Sequence, residues 1–168
     1  MDALTPRLHE IFSEAPEVEA LLAAHHAQMR AQSPEESCHV MTGEDLRAGG
    51  ARVFALMQRD GAVLAVGALQ IVQDGAEPAK LSRRSPVFEL KSMHVAAVRR
   101  GQGLGHMLLS AILGEARKSG AAGACLETGS APGFAAARAL YLSQGFETCP
   151  PFGSYAPDPL SVFMCRKL

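Results

Sequence analysis

The chain has 168 residues, 48% of them hydrophobic and 20% charged, and 16 basic against 17 acidic residues leave a formal net charge of -1. A chain this long fits one compact domain that buries roughly 70% of its unfolded surface without a metal or disulfide staple. This balance excludes disorder and a broad electrostatic grip on nucleic acid or an anionic membrane, and no apolar run reaches the ~18 residues of a membrane span.

The N-terminus, M-D-A-L-T-P-R-L-H-E, has no basic head followed by an apolar core, so it does not read as a secretory signal. Residues 7–13 read as a first strand, with Leu8, Ile11 and Phe12 as its apolar positions. Pro16 suits the first turn of a helix, where its missing N–H costs nothing. Val18, Leu21, Leu22, His25 and Met29 then recur at helical spacing to about Ala31, and Ser33-Pro34 closes the helix. Thr42-Gly43-Glu44-Asp45 reads as a second helix start, with Thr42 as cap, and Gly49-Gly50 ends it.

Residues 53–58 and 62–72 are β-rich, and Arg59-Asp60-Gly61 between them holds the D-G signal of a tight hairpin. Residues 73–86, with Gly75, Pro78 and the basic pair Arg83-Arg84, read as an exposed loop. A strand follows over 87–95. Leu104, Leu108, Ala111, Ile112 and Glu115 share one face of a helix that stops at Gly120. Residues 124–128 form a short buried strand. Phe134, Ala137, Leu140 and Tyr141 mark another helix, closed by Gly145. Residues 146–148 and 162–166 are the last strands, joined by a proline-rich segment over 150–159. Hairpins first and strand–helix–strand units later indicate an α/β or α+β class with a mixed sheet.

Cys38, Cys125, Cys149 and Cys165 form no C-x-x-C pair. They read as reduced thiols of a cytoplasmic protein, not as a zinc site or a disulfide framework. His25 and His26 lack the i, i+4 spacing of a helical metal site, and His25 lies on the apolar stripe. It reads as a satisfied or cleft-lining histidine, and no metal is expected.

The chemistry concentrates in residues 87–128: a strand, then A-A-V-R-R-G-Q-G-L-G, then a helix, then a strand. A glycine-rich turn before a helix points backbone N–H groups outward, and the helix adds partial positive charge, so the pair cradles phosphate. Gly101, Gly103 and Gly105 permit positive φ and close backbone approach, and Arg99 and Arg100 add charge. No Walker lysine follows, and the sixth position of a dinucleotide fingerprint starting at Gly101 is His106. The pattern [QR]-x-x-G-x-[GA] is satisfied by Arg100, Gly103 and Gly105. By itself it also describes a tight turn with no ligand.

With these residues in view, the chain resembles the GCN5-related N-acetyltransferase (GNAT) family. E-L-K-S-M-H-V, R-R-G-Q-G-L-G-H-M-L-L, A-C-L-E-T-G and A-L-Y-L-S-Q-G-F follow one another at that family's spacing. The match is strong over 89–146 and fair over 7–72. The tail P-F-G-S-Y-A-P-D-P-L-S-V-F-M is similar to that of a group of small bacterial members. The 73–86 loop is longer than in many relatives.

The resemblance implies a single acetyltransferase domain over 1–168. It also implies a mixed, mostly antiparallel sheet of six to seven strands, with helices on both faces and a splay between the fourth and fifth strands. The pantetheine arm of acetyl-CoA would lie in that splay against the main chain of Met93, His94 and Val95. The pyrophosphate would rest on the loop of Arg100, Gly101, Gln102, Gly103, Leu104, Gly105 and His106. Tyr141 would protonate the departing sulfur, and Glu89 would act as general base, directly or through a water. The acceptor wall would come from His25, Met29, Arg30, Ser33 and Ser37, with Arg30 able to hold a carboxylate. Phe152 and Tyr155 would close the opposite side.

The implied reaction is transfer of an acetyl group to a primary amine of a small or amino-acid-like acceptor, by direct attack in a ternary complex. A protein lysine or N-terminal acceptor, and a non-catalytic acyl-CoA-binding module on the same scaffold, are the alternatives. An unrelated phosphate-binding protein would instead bind simple nucleotides without CoA. Nucleic acid and membrane are not expected partners. Family members are often dimers, so a homodimer stays open.

Overall fold

A central strand covered on both faces sets the architecture. In β2 (Arg52–Met57), Val53 and Ala55 face one helix layer while Phe54 and Leu56 face the other, and all four are buried. The computed structural model describes residues 5–39, 41–73, 75–81 and 86–168. Within them β1 (Arg7–Ile11), β2, β3 (Val63–Ile71), β4 (Val87–Val95), β5 (Gly123–Gly129), β6 (Glu147–Thr148) and β7 (Ser161–Lys167) form one sheet in the order β1-β2-β3-β4-β5-β7-β6. Only the β4–β5 pair is parallel. Helices α1 (Pro16–Gln32) and α2 (Gly43–Ala48) pack on one face through Val18, Leu22 and Leu46. Helices α3 (Leu104–Lys118) and α4 (Ala135–Ser143) pack on the other through Leu108, Leu109, Ile112 and Tyr141.

Local chemistry fixes the ends of these elements. Pro16 opens α1, and Ser33, held extended before Pro34, closes it. Thr42 and Asp45 form a reciprocal capping box at the start of α2. Gly61, at φ 88°, completes the β2–β3 hairpin. Two details differ from the sequence-based expectation. β1 stops at Ile11, its last residue paired with β2, and leaves Phe12 exposed. The 73–86 segment is not wholly exposed: Leu81 is buried against the sheet beside Gly123, and the Ala76 carbonyl accepts a bond from Gly153 N–H at 2.7 Å. Arg83 and Arg84 lie outside the described residues.

Two irregularities in β4 make room for a site. Between Lys91 and His94 the strand holds one more residue than β3 does opposite, and Ser92 takes a φ of 53°. This bulge reverses which face each residue occupies. Phe88 and Leu90 pack on the α3 side before it, and Met93 and Val95 do so after it. Further, the β4–β5 ladder runs only from Val87↔Gly123 to Leu90↔Leu126, although β4 continues to Val95 and β5 to Gly129. Past that point β5 stays paired with β7, and β4 with β3. The two strands therefore part in a V, as the resemblance implied.

Candidate active site

The open end of the V is a cavity of about 350 Å³. The last residues of β4 (Met93, His94, Val95) form one side, and α4 (Ala136, Ala137, Leu140, Tyr141) forms the other. The loop of Arg100, Gly101 and Gly103, with Leu104 and Gly105 of α3, closes its end. Gly101 and Gly103 adopt φ of 75° and 76°, with nothing within 4 Å of the position a Cβ would take. Glycine is needed there for backbone conformation and not for space. Gly103 is the N-cap of α3 and offers no side-chain acceptor, so the first amides of a helix of 15 residues keep their donors for an anion. Parted strands with free main-chain groups, leading to an uncapped helix start, fit a long ligand that ends in phosphates.

The expected ligand residues fall into two groups. Met93, His94, Val95, Arg100, Gly101, Gly103, Leu104 and Gly105 all line this cavity. Gln102 and His106 do not: both are exposed, and His106 sits one helical step beyond Gly105, where its ring meets the Gln144 side chain. Arg100 also ties the loop to α1, donating to Gln28 Oε1 at 2.6 Å and to the Val95 carbonyl at 3.4 Å.

Tyr141 stands where this cavity meets a second of about 120 Å³, and its side chain lines both. Its place is built into the end of α4. Phe146 N–H donates to the Tyr141 carbonyl and Gly145 N–H to the Leu142 carbonyl, with Gly145 at φ 79° and the Phe146 ring set edge-on to Tyr141 at 5.8 Å. The spacing Y-x-x-x-G-F is thus a helix stop that also fixes the tyrosine. Tyr141 is 7% exposed, and burial, reinforced by the charge of Glu127, raises its pKa. It keeps its proton at neutral pH and can supply it to a departing thiolate.

The smaller cavity holds two carboxylates. Glu127 leaves β5 one residue after the β4–β5 ladder ends, and burial, helped by the charge of Glu89, lifts its carboxyl above the ordinary glutamate range, opposed by Ser161 first and then by His39 and Lys91. Glu89 projects from β4 into the same space, already engaged: Tyr155 donates to its Oε1 at 2.5 Å, and Lys91 Nζ lies 3.1 Å from that oxygen. Glu127 escaped the reading of the sequence. The available signal is an acid directly after the apolar run A-C-L of a short strand. Lys91, two residues from Glu89 on one face of β4, was missed in the same way.

The structure divides the residues expected at an acceptor wall. His25, Met29, Ser33, Ser37 and Tyr155 line the small cavity. Arg30 does not: it points away from Met29 around α1, its side chain is 62% exposed, and it pairs with Glu35 at 3.7 Å. Phe152 is buried behind Tyr155 and does not reach this cavity. His25 faces His94 edge-on at 5.3 Å and lines both cavities. Burial first, then the neighbouring His94, lowers its pKa to about 4, so the ring is neutral. Ser37 Oγ donates to Asp158 at 2.6 Å and joins the segment after α1 to the proline-rich loop. Among the described residues, no cluster of His, Cys, Asp and Glu could hold a metal ion, and no helix is long and apolar enough to cross a membrane.

Comparison with known proteins agrees with this geometry. Residues 6–146 match the model of the acetyltransferase (GNAT) family. The uncharacterized N-acetyltransferase YsnE of Bacillus subtilis is 36% identical over 90% of this chain and 93% of its own. The IAA acetyltransferase of Azospirillum brasilense is 38% identical over 80% of each chain. A candidate acyl-CoA N-acyltransferase of Klebsiella pneumoniae has the same fold, with a TM-score of 0.73 at 28% identity over 99% of both chains. The strand order, the parted strands and these matches make the chain a member of the GNAT family and an acyltransferase enzyme.

Proposed function

We propose that the chain is an acetyl-CoA-dependent N-acetyltransferase whose acceptor is a small or amino-acid-like primary amine. The observation that carries this reading is the meeting of the two cavities at Tyr141, with Glu127 in the smaller one. When bound, acetyl-CoA supplies an activated acyl carbon and a thiolate leaving group. The loop of Gly101, Gly103 and Gly105 grips its diphosphate. Main-chain groups of Met93, His94 and Val95, unpaired toward β5, take the pantetheine arm, and an N–H there polarises the thioester carbonyl.

Glu127 takes a proton from the acceptor ammonium, a task suited to a carboxylate whose pKa is raised toward the working pH. This moves the base from Glu89, which its bonds to Tyr155 and Lys91 make a positioning residue. Tyr141 gives its proton to sulfur and regains one as the product nitrogen sheds its charge. A cavity of about 120 Å³ suits a small acceptor better than a polypeptide segment. The test is CoA release measured across primary amines, amino acids and polypeptides. Turnover with small amines is expected, and activity confined to polypeptide lysines or N-termini would overturn the proposal.

A further inference from the structure

Three cavities lie in line along β4. The first two meet at Tyr141 and Met93. At its other end the acceptor cavity is backed by His39, Glu89, Lys91 and Tyr155. The same four side chains line a third cavity of about 580 Å³, which reaches Phe152 and the end of β3. The acceptor space is therefore short because a partition stands across a longer channel.

Tyr155 is the part of that partition that the chain fixes in place. Its hydroxyl donates to Glu89 at 2.5 Å and accepts from Lys91 Nζ at 3.3 Å. Its ring meets His39 edge-on at 5.1 Å, Phe152 at 5.4 Å and Phe163 at 5.4 Å. A side chain held by two polar bonds and three rings is a wall and not a swinging gate.

Building on the small-amine reading above, we infer that Tyr155 sets the maximum length of the acceptor, and that the cavity behind it is a second acceptor subsite which this side chain closes off. A cavity of roughly 150 Å³ accommodates the six carbons of benzene, so the 120 Å³ in front of Tyr155 takes an acceptor of about five non-hydrogen atoms. The accepted class is short primary amines up to the size of a small amino acid. Longer amines, with the nitrogen at Glu127, run into the phenol ring.

The experiment measures kcat/KM for acetylation of n-alkylamines from ethylamine to decylamine with wild type, Tyr155→Phe, Tyr155→Ala and Tyr155→Leu. Leucine keeps an apolar contact with Phe152 and Phe163 should the alanine variant fail to fold, and acetyl-CoA titration verifies each variant's fold. Wild type is expected to lose about tenfold or more in kcat/KM past a chain of about four carbons. Tyr155→Phe keeps that cutoff, because the ring remains. Tyr155→Ala or Tyr155→Leu raises decylamine relative to ethylamine by about tenfold or more. An unchanged cutoff in the folded variants overturns this inference and leaves the small-amine reading standing. A wild type inert toward every amine and amino acid, yet active on polypeptides, overturns both.

Discussion

Replacing Tyr141 by phenylalanine removes one oxygen from the meeting point of the two cavities and leaves the rest of the site in place. The ring keeps its edge-on contact with Phe146, and the bonds that close α4 are main-chain bonds that the substitution does not touch. Fold and cosubstrate affinity should therefore hold, and the loss should fall on turnover. A positioned general acid contributes 10²–10⁴-fold, so kcat is expected to drop by about 10²-fold or more, roughly 2.7 kcal/mol of barrier. Because burial raises the phenol's pKa, wild-type Tyr141 stays protonated across the neutral range, and the ratio of wild-type to variant kcat should be flat from pH 6 to 9. The assay is CoA release at saturating acetyl-CoA, with circular dichroism to confirm the fold. A folded variant within threefold of wild type would remove Tyr141 from the mechanism. A ratio that collapsed at alkaline pH would show a phenol that ionises there, against its burial.

Glu127→Gln should lower kcat by about 10²-fold. A carboxyl with a raised pKa loses its basic form as pH falls through that value, so wild-type kcat/KM should decline on the acid side above the ordinary glutamate range, and this limb should vanish in the variant's pH profile. Gly103→Ala forces a side chain into φ 76° with no clash beyond the backbone, so thermal melting should show a loss of about 1 kcal/mol, or 2–4 °C, and calorimetry a weaker Kd for CoA. A Cβ at Gly129 would sit 2.7 Å from Phe134 Cγ, and Phe134 lines both cavities. Gly129→Ala should cost about 1–3 kcal/mol in denaturant unfolding and raise KM for both substrates.

Much of this molecule can be read from residue order because its punctuation is local. Pro16, Ser33-Pro34, Thr42 with Asp45, Asp60-Gly61 and Gly145 each end or start an element through chemistry within four residues. The glycine turn before α3 is legible for the same reason, since Gly101 and Gly103 declare positive φ. What stays hidden depends on register and tertiary packing. The bulge at Ser92 swaps the faces of β4, and a serine at φ 53° carries no glycine signal. Glu127 looks like an ordinary acid at the polar end of a short strand until the parting of β4 from β5 puts it in a cavity. Arg30 shares its helix with Met29, yet its angle around α1 turns it to solvent and Glu35. His106 is lost to the cavity by a single helical step after Gly105.

The proposed chemistry requires acyl-CoA to lie in the parted strands with its sulfur at the junction of the two cavities. The most direct measurement is a crystal structure of the protein with CoA bound. It should show the diphosphate on the amides around Gly103 and the sulfur within about 4 Å of the Tyr141 hydroxyl, facing Glu127 across the acceptor space. A diphosphate bound elsewhere, or a sulfur remote from Tyr141, would contradict it.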